Sequence, residues 1–293
     1  MINPARFRPE TRQLIDVPLG VGESPVWDDR EQVLWFVDTL GPAVFRRHED
    51  GRLDRFDMPA AAGSLGLCEN GQIVVGLQNG VHLMDPRDGS LALLCNPDGG
   101  RENSRLNDGK IGPDGCYWVG TRDEAEPQTG NARLYRVAPD GSFTQILDGL
   151  LTSNGLAWSP DGRRMYHSDS SGLFVQVFDF DPAKGLIGPA TRLHDNAPDE
   201  GRPDGAAMDA EGCYWSAGVR SGRLNRMNAD GEIFEIWDMP HKGCSMPCFG
   251  GPDLRKLYVT CLQMPRQDGS YEAGTLLAFD APVAGAPVAR FKL

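Results

Sequence analysis

The stretch Asn154-Gly-Leu-Ala-Trp-Ser-Pro-Asp-Gly-Arg-Arg-Met-Tyr166 reads as a short strand, an Asp-Gly turn and a second short strand. The same plan recurs at Asn107-Asp-Gly-Lys-Ile-Gly-Pro-Asp-Gly-Cys-Tyr-Trp118 and at Asp204-Gly-Ala-Ala-Met-Asp-Ala-Glu-Gly-Cys-Tyr-Trp215. Aligned on the turn glycine, the series extends to Gly71 and, where the glycine is replaced, to Leu254 and Glu31. The markers at 31, 71, 115, 162, 212 and 254 stand 40 to 50 residues apart and define six units. A repeat of that length holding several strands is the signature of a propeller blade.

The apolar period inside each unit supports strands. Val33-Leu-Trp-Phe-Val37, Arg133-Leu-Tyr-Arg-Val137, Leu173-Phe-Val-Gln-Val-Phe178 and Thr275-Leu-Leu-Ala-Phe279 are β-branched and aromatic runs bounded by Gly, Pro, Asn and Asp. No window of a dozen residues carries a helical apolar face. The expected fold is all-β: a six-bladed β-propeller with four antiparallel strands per blade, filling residues 1–293 as one domain. A ring must be closed, and Arg12–Val17 ahead of the first unit is the strand expected to pair with the last blade. The 36 glycines and 22 prolines, about a fifth of the chain, then serve as blade punctuation.

Charge and composition narrow the partners. A net charge of −12 has the wrong sign for a protein that neutralises phosphates, so nucleic acid is excluded as a partner. No run approaches the roughly 18 apolar residues of a membrane span. The start, Met1 to Pro9, lacks the apolar core of a signal peptide, and a cytoplasmic location is expected. Seven cysteines with no zinc-spaced cluster point to reduced thiols.

Inner strands of a propeller bring equivalent positions face to face around the axis. Eight residues before the six markers stand Glu23, Gly63, Asn107, Asn154, Asp204 and Met246. Taken singly, Asn and Asp before Gly are ordinary turn residues. The shared offset argues for more, because turn formation does not call for Glu23. Carboxylates converging on a narrow channel repel one another and lose solvation unless a cation sits between them. Glu23, Asn154 and Asp204 offer only oxygen donors, which suits calcium first, with magnesium or manganese next; zinc and iron(II) remain open through carboxylate oxygens.

With those residues in place, the chain resembles the SMP-30, gluconolactonase and regucalcin-like family of six-bladed propellers. The resemblance rests on Gly22-Glu23-Ser-Pro-Val-Trp27, Arg105-Leu-Asn107-Asp-Gly-Lys110, Ser153-Asn154-Gly-Leu-Ala-Trp158, Pro203-Asp204-Gly205 and Cys248-Phe-Gly-Gly-Pro-Asp-Leu254. It implies one catalytic divalent cation on Glu23, Asn154 and Asp204, with Asp204 also the general base. It further implies that Arg105 and Asn107 bind substrate oxygens, and that the substrate is a small-molecule sugar lactone opened to its acid. The family often places an acid shortly after a Gly-Thr such as Gly120-Thr121; here the stretch reads Arg122-Asp-Glu-Ala-Glu126, which leaves the roles of Asp123, Glu124 and Glu126 open.

For Arg105 the plain structural alternative is an ion pair with a neighbouring acid such as Asp108. Alternation along Asn107-Asp-Gly-Lys110 points Asp108 away from Asn107 and assigns Asp108 and Lys110 structural roles. Glu124–Asn131 and Met264–Ala273 are expected to wall the pocket. Two other readings stay open for the whole protein: a metal-dependent esterase or phosphotriesterase on this scaffold, and a non-catalytic calcium-binding propeller.

Overall fold

A computed structural model describes residues 4–293. Six antiparallel sheets are arranged as blades around a central channel, each beginning at an inner strand. The inner strands are Gly22–Asp28, Ala62–Leu67, Ser104–Ile111, Ser153–Trp158, Arg202–Met208 and Cys244–Gly250, in blades one to six. Each carries one of the six offset positions read from the sequence. The one helix among the described residues is the short 3-10 turn Pro198–Glu200.

Burial explains why these strands have so few polar positions. Every blade lies between two others, so a strand near the axis buries both of its faces. In Val33–Asp38, Val33, Trp35 and Val37 pack in the seam between blades one and two, while Leu34 and Phe36 pack in the seam between blades six and one. All six seams hold such a cluster. Trp27, Trp35, Trp118, Trp158 and Trp215 are all buried in them, the indoles filling seams that widen away from the axis.

The ring closes as expected. Arg12–Gln13 pairs antiparallel with Leu276–Asp280 and supplies the outer strand of blade six. The strand is shorter than the sequence suggests: Leu14 N still donates to Leu276 O, and Leu14 and Ile15 turn their side chains into the seam between blades six and one. One addition was not expected: Ala5–Phe7 joins blade five as a fifth, parallel strand, with Phe7 stacked on Trp237 at 4.7 Å between ring centroids. At the other end of the chain, Ala286 N donates to Met208 O and Phe291 N donates to Leu67 O. The C-terminal tail thus crosses the ring beneath the C-terminal ends of the inner strands, with Phe291 fully buried.

Candidate active site

The site is built at the N-terminal ends of the inner strands, where a shared local irregularity aims the side chains. All six inner strands slip register against their neighbour at this level: between Glu23 and Val26, Ala62 and Ser64, Leu106 and Gly109, Asn154 and Ala157, Pro203 and Ala206, and Cys244 and Met246. A bulge bends its strand and redirects one side chain. Repeated six times around an axis, it turns one sequence offset into one ring of residues.

The two apolar members of the ring have steric reasons. A Cβ on Gly63 would lie 2.5 Å from the Leu106 carbonyl oxygen and 2.6 Å from that of Asn107, so only glycine fits. Met246 packs onto Gly205, where a side chain would collide with its Cβ, Cγ and Sδ.

Four polar members remain. Asn154 is buried, and its Nδ2 donates to Asp204 Oδ1 at 2.5 Å and to Ser170 Oγ at 2.8 Å. Ser170 Oγ in turn donates to Pro203 O, tying blade four to the residue before Asp204. Asn107 Nδ2 donates to Ser153 O at 3.0 Å, and Arg105 Nη1 donates to Asn107 Oδ1 at 2.9 Å. A continuous polar path therefore runs from Arg105 through Asn107 and blade four to Asp204. Glu23 stands apart from it, accepting only from Ser24 N.

Charge is poorly compensated in this ring. Burial pushes the Glu23 carboxyl well above the usual carboxylate range, and the charges of Asp204 and Asp108 push it further. Asp204 is raised to about 7, by burial first and Asp108 second, against the opposing pull of Arg122, Asn154 and Arg105. Neither Glu23 nor Asp204 has an ion pair among the described residues. Among those residues no three His, Cys, Asp or Glu side chains surround a common point closely enough to hold an ion. Asn154 meets Asp204, and the charge of Asp204 acts on Glu23; two carboxylates and an amide whose Oδ1 has no partner among the described residues make an all-oxygen set whose chemistry fits a hard divalent cation.

Several acids behave differently from the sequence reading or go beyond it. Arg105 pairs with Glu124, Nε donating to Oε1 at 3.0 Å, and not with Asp108. Asp108 does not point away from Asn107: its Oδ2 accepts from Leu156 N in blade four, the blade that Asn107 also faces. The bulge between Leu106 and Gly109 breaks the alternation on which that expectation stood. Asp123 is structural, its carboxylate accepting from Ala125 N, Thr129 N and Oγ1, and Asn131 N to shape the loop that carries Glu124. Asp38 and Asp169 end their second strands in the same way, closing the loops before Gly22 and Ser153. Glu126 is exposed.

A cavity of about 700 Å³ lies at the other mouth of the channel. Trp27, Trp158, Met208, Phe249 and the tail residues 286–289 line it, so it is separate from the ring of polar residues.

Comparison with known proteins agrees with this architecture. The model of the SMP-30/Gluconolactonase/LRE-like region matches residues 21–263, and the chain belongs to that family. The chain is 37% identical over 245 residues to the 6-deoxy-6-sulfogluconolactonase of Pseudomonas putida, covering 83% of this chain and 84% of that protein. It is 33% identical to the regucalcin of Xenopus laevis over 246 residues, 82% of each chain. Among solved structures, a calcium-binding protein, regucalcin, from Agrobacterium tumefaciens superposes with a TM-score of 0.93 at 26% identity, covering 99% of this chain and all of the other. The resemblance read from the motifs and the six-bladed fold are both borne out.

Proposed function

We propose that this protein is a divalent-metal-dependent lactonase that opens a sugar lactone, an aldono-1,4- or 1,5-lactone, to the corresponding acid. The observation that carries the reading is the buried Asn154–Asp204 contact at the ring, beside a second carboxylate, Glu23, on which the charge of Asp204 acts and which likewise has no ion pair among the described residues. The lactonase named among the chain's relatives supports the same reaction class.

Glu23, Asn154 and Asp204 are the residues that would hold the cation, with calcium favoured by their oxygen donors and by the calcium-binding relative. When bound, the cation supplies a Lewis acid for the ring carbonyl and charge for the developing oxyanion. The protein's own groups do the rest. Asp204 accepts a proton from the attacking water as its oxygen bonds to the carbonyl carbon, and returns a proton to the ring oxygen as the ring C–O bond breaks. Arg105, held in orientation by Glu124 and Asn107, presents its remaining N–H donors to substrate hydroxyls and to the new carboxylate.

No described helix is long and apolar enough to cross a membrane. We place the reaction in the cytoplasm, a reading supported by seven cysteines that are all free.

The test is base uptake at constant pH over a panel of aldonolactones, corrected for spontaneous opening, beside phenyl acetate and a phosphotriester. Acceleration of the lactones is expected. Turnover of only the ester or phosphotriester would replace the lactonase reading with the esterase one, and inertness with retained calcium would leave a binding protein.

A further inference from the structure

Arg122 is a cation at the mouth of this site with nothing to neutralise it. Arg105 and Arg122 are direct partners in the ladder between Ser104–Ile111 and Tyr117–Asp123, so their side chains leave the same face of blade three. That face looks toward blade four, since Asn107 reaches Ser153 O from it, and the backbone of Arg122 pairs with that of Thr152, two residues before Asn154. Arg105 is committed to Glu124, Asn107 and the Leu106 carbonyl. Arg122 is exposed and its side chain makes no hydrogen bond or ion pair among the described residues. Its charge nonetheless acts on both Asp204 and Arg105.

The local charges can be balanced group by group. A divalent cation would cancel Glu23 and Asp204, Glu124 cancels Arg105, and Lys110 opposes Asp108 deeper in the channel. Asp123, next to Arg122, spends its carboxylate on the N–H groups of Ala125, Thr129 and Asn131 and on Thr129 Oγ1, which leaves the Arg122 guanidinium without a side-chain partner among the described residues. A guanidinium offers planar paired donors matched to carboxylate, phosphate and sulfonate oxygens. A neutral sugar ring uses none of that charge.

We propose that Arg122 makes the site selective for lactones that carry an anionic group of their own, a sulfonate, phosphate or carboxylate on the carbon remote from the ring carbonyl. The inference rests on the lactonase reading above. It adds the substrate class and the residue that selects it.

The test uses the metal-loaded protein and its Arg122→Gln and Arg122→Lys variants. Values of kcat/KM are measured for D-glucono-1,5-lactone and for its 6-phospho and 6-deoxy-6-sulfo analogues, with D-glucaro-1,4-lactone as the carboxylate arm. The wild type is expected to prefer at least one anionic lactone, and the arm with the highest preference identifies the group. Arg122→Gln should lower the ratio of anionic to neutral kcat/KM by about 10- to 100-fold, mainly through KM, as loss of a charged hydrogen bond predicts. Arg122→Lys should recover part of it. An unchanged ratio in Arg122→Gln, or a wild type that prefers the neutral lactone, would overturn the proposal. Calorimetric titration with the product-like ions gluconate and glucarate gives a readout independent of turnover. Tighter binding of the dianion that is lost in Arg122→Gln supports the assignment, and equal affinities contradict it. Absence of all lactone turnover would sink the lactonase reading, while the titration would still decide the role of Arg122.

Discussion

Asn154 Nδ2 lies 2.5 Å from Asp204 Oδ1 across the seam between blades four and five. The bond joins two residues 50 positions apart in the chain, and it holds one carboxylate oxygen while leaving the other for chemistry. Ser170 fixes the same amide from behind and the backbone of Pro203 from above, so the direction of Asp204 is set by three contacts.

Replacement of Asp204 by Asn keeps its size and removes its basicity. Turnover is expected to fall by about 10²- to 10⁴-fold, the range of a general base, with the far-ultraviolet spectrum of the sheet preserved. Ser170→Ala should have a smaller effect, because it frees Asn154 without removing the base. Rates like those of the wild type in Asp204→Asn would end its assigned role.

Stability should respond to the cation in a pH-dependent way. Glu23 and Asp204 bind protons more tightly in the fold than unfolded, so without a cation their contribution is present at low pH and is lost as pH rises, for Asp204 through about 7. Cation binding needs the ionised carboxylates and offsets that loss. The unfolding midpoint is expected to drop on chelation, and by more at pH 8 than at pH 5. A drop that is equal or larger at pH 5 would show that these two acids do not hold the ion.

The loop that leads into the Asp204 strand has its own pH signature. His194 Nε2 and Glu200 Oε2 are 2.7 Å apart. Hydrogen bonding to Glu200 raises the His194 pKa; for Glu200, burial pushes upward but the bond and charge of His194 prevail and hold it low. The pair therefore stabilises most between about pH 4.5 and 6.5, fading above as His194 loses its proton and below as Glu200 gains one. Thermal unfolding of Glu200→Gln should differ most from the wild type inside that window. A difference independent of pH would mean that the pair contributes no charge interaction.

The parts of this arrangement that repeat were readable from the chain. Six inner strands cross the channel at the same depth, so Glu23, Asn107, Asn154 and Asp204 share one offset and their geometry follows from it. What depends on a single local distortion was not readable. Asp108 turns toward blade four because a bulge interrupts alternation after Leu106, and no residue type announces that bulge. Gly63 leaves a gap in the ring of side chains because the backbone at Leu106 and Asn107 occupies its space. Glu124 and Arg122 sit where strand passes into loop, and only the fold reveals that Glu124 reaches Arg105 while Arg122 has no side-chain partner among the described residues.

On the function proposed above, one cation, held by Glu23, Asn154 and Asp204, makes this propeller a lactone hydrolase. Its most direct test is base uptake at constant pH with an aldonolactone before chelation, after chelation and after each divalent ion is restored singly. Turnover is expected to disappear with the chelator and to return with at least one oxygen-preferring ion. Lactone opening that continues undiminished in the thoroughly chelated protein would contradict it.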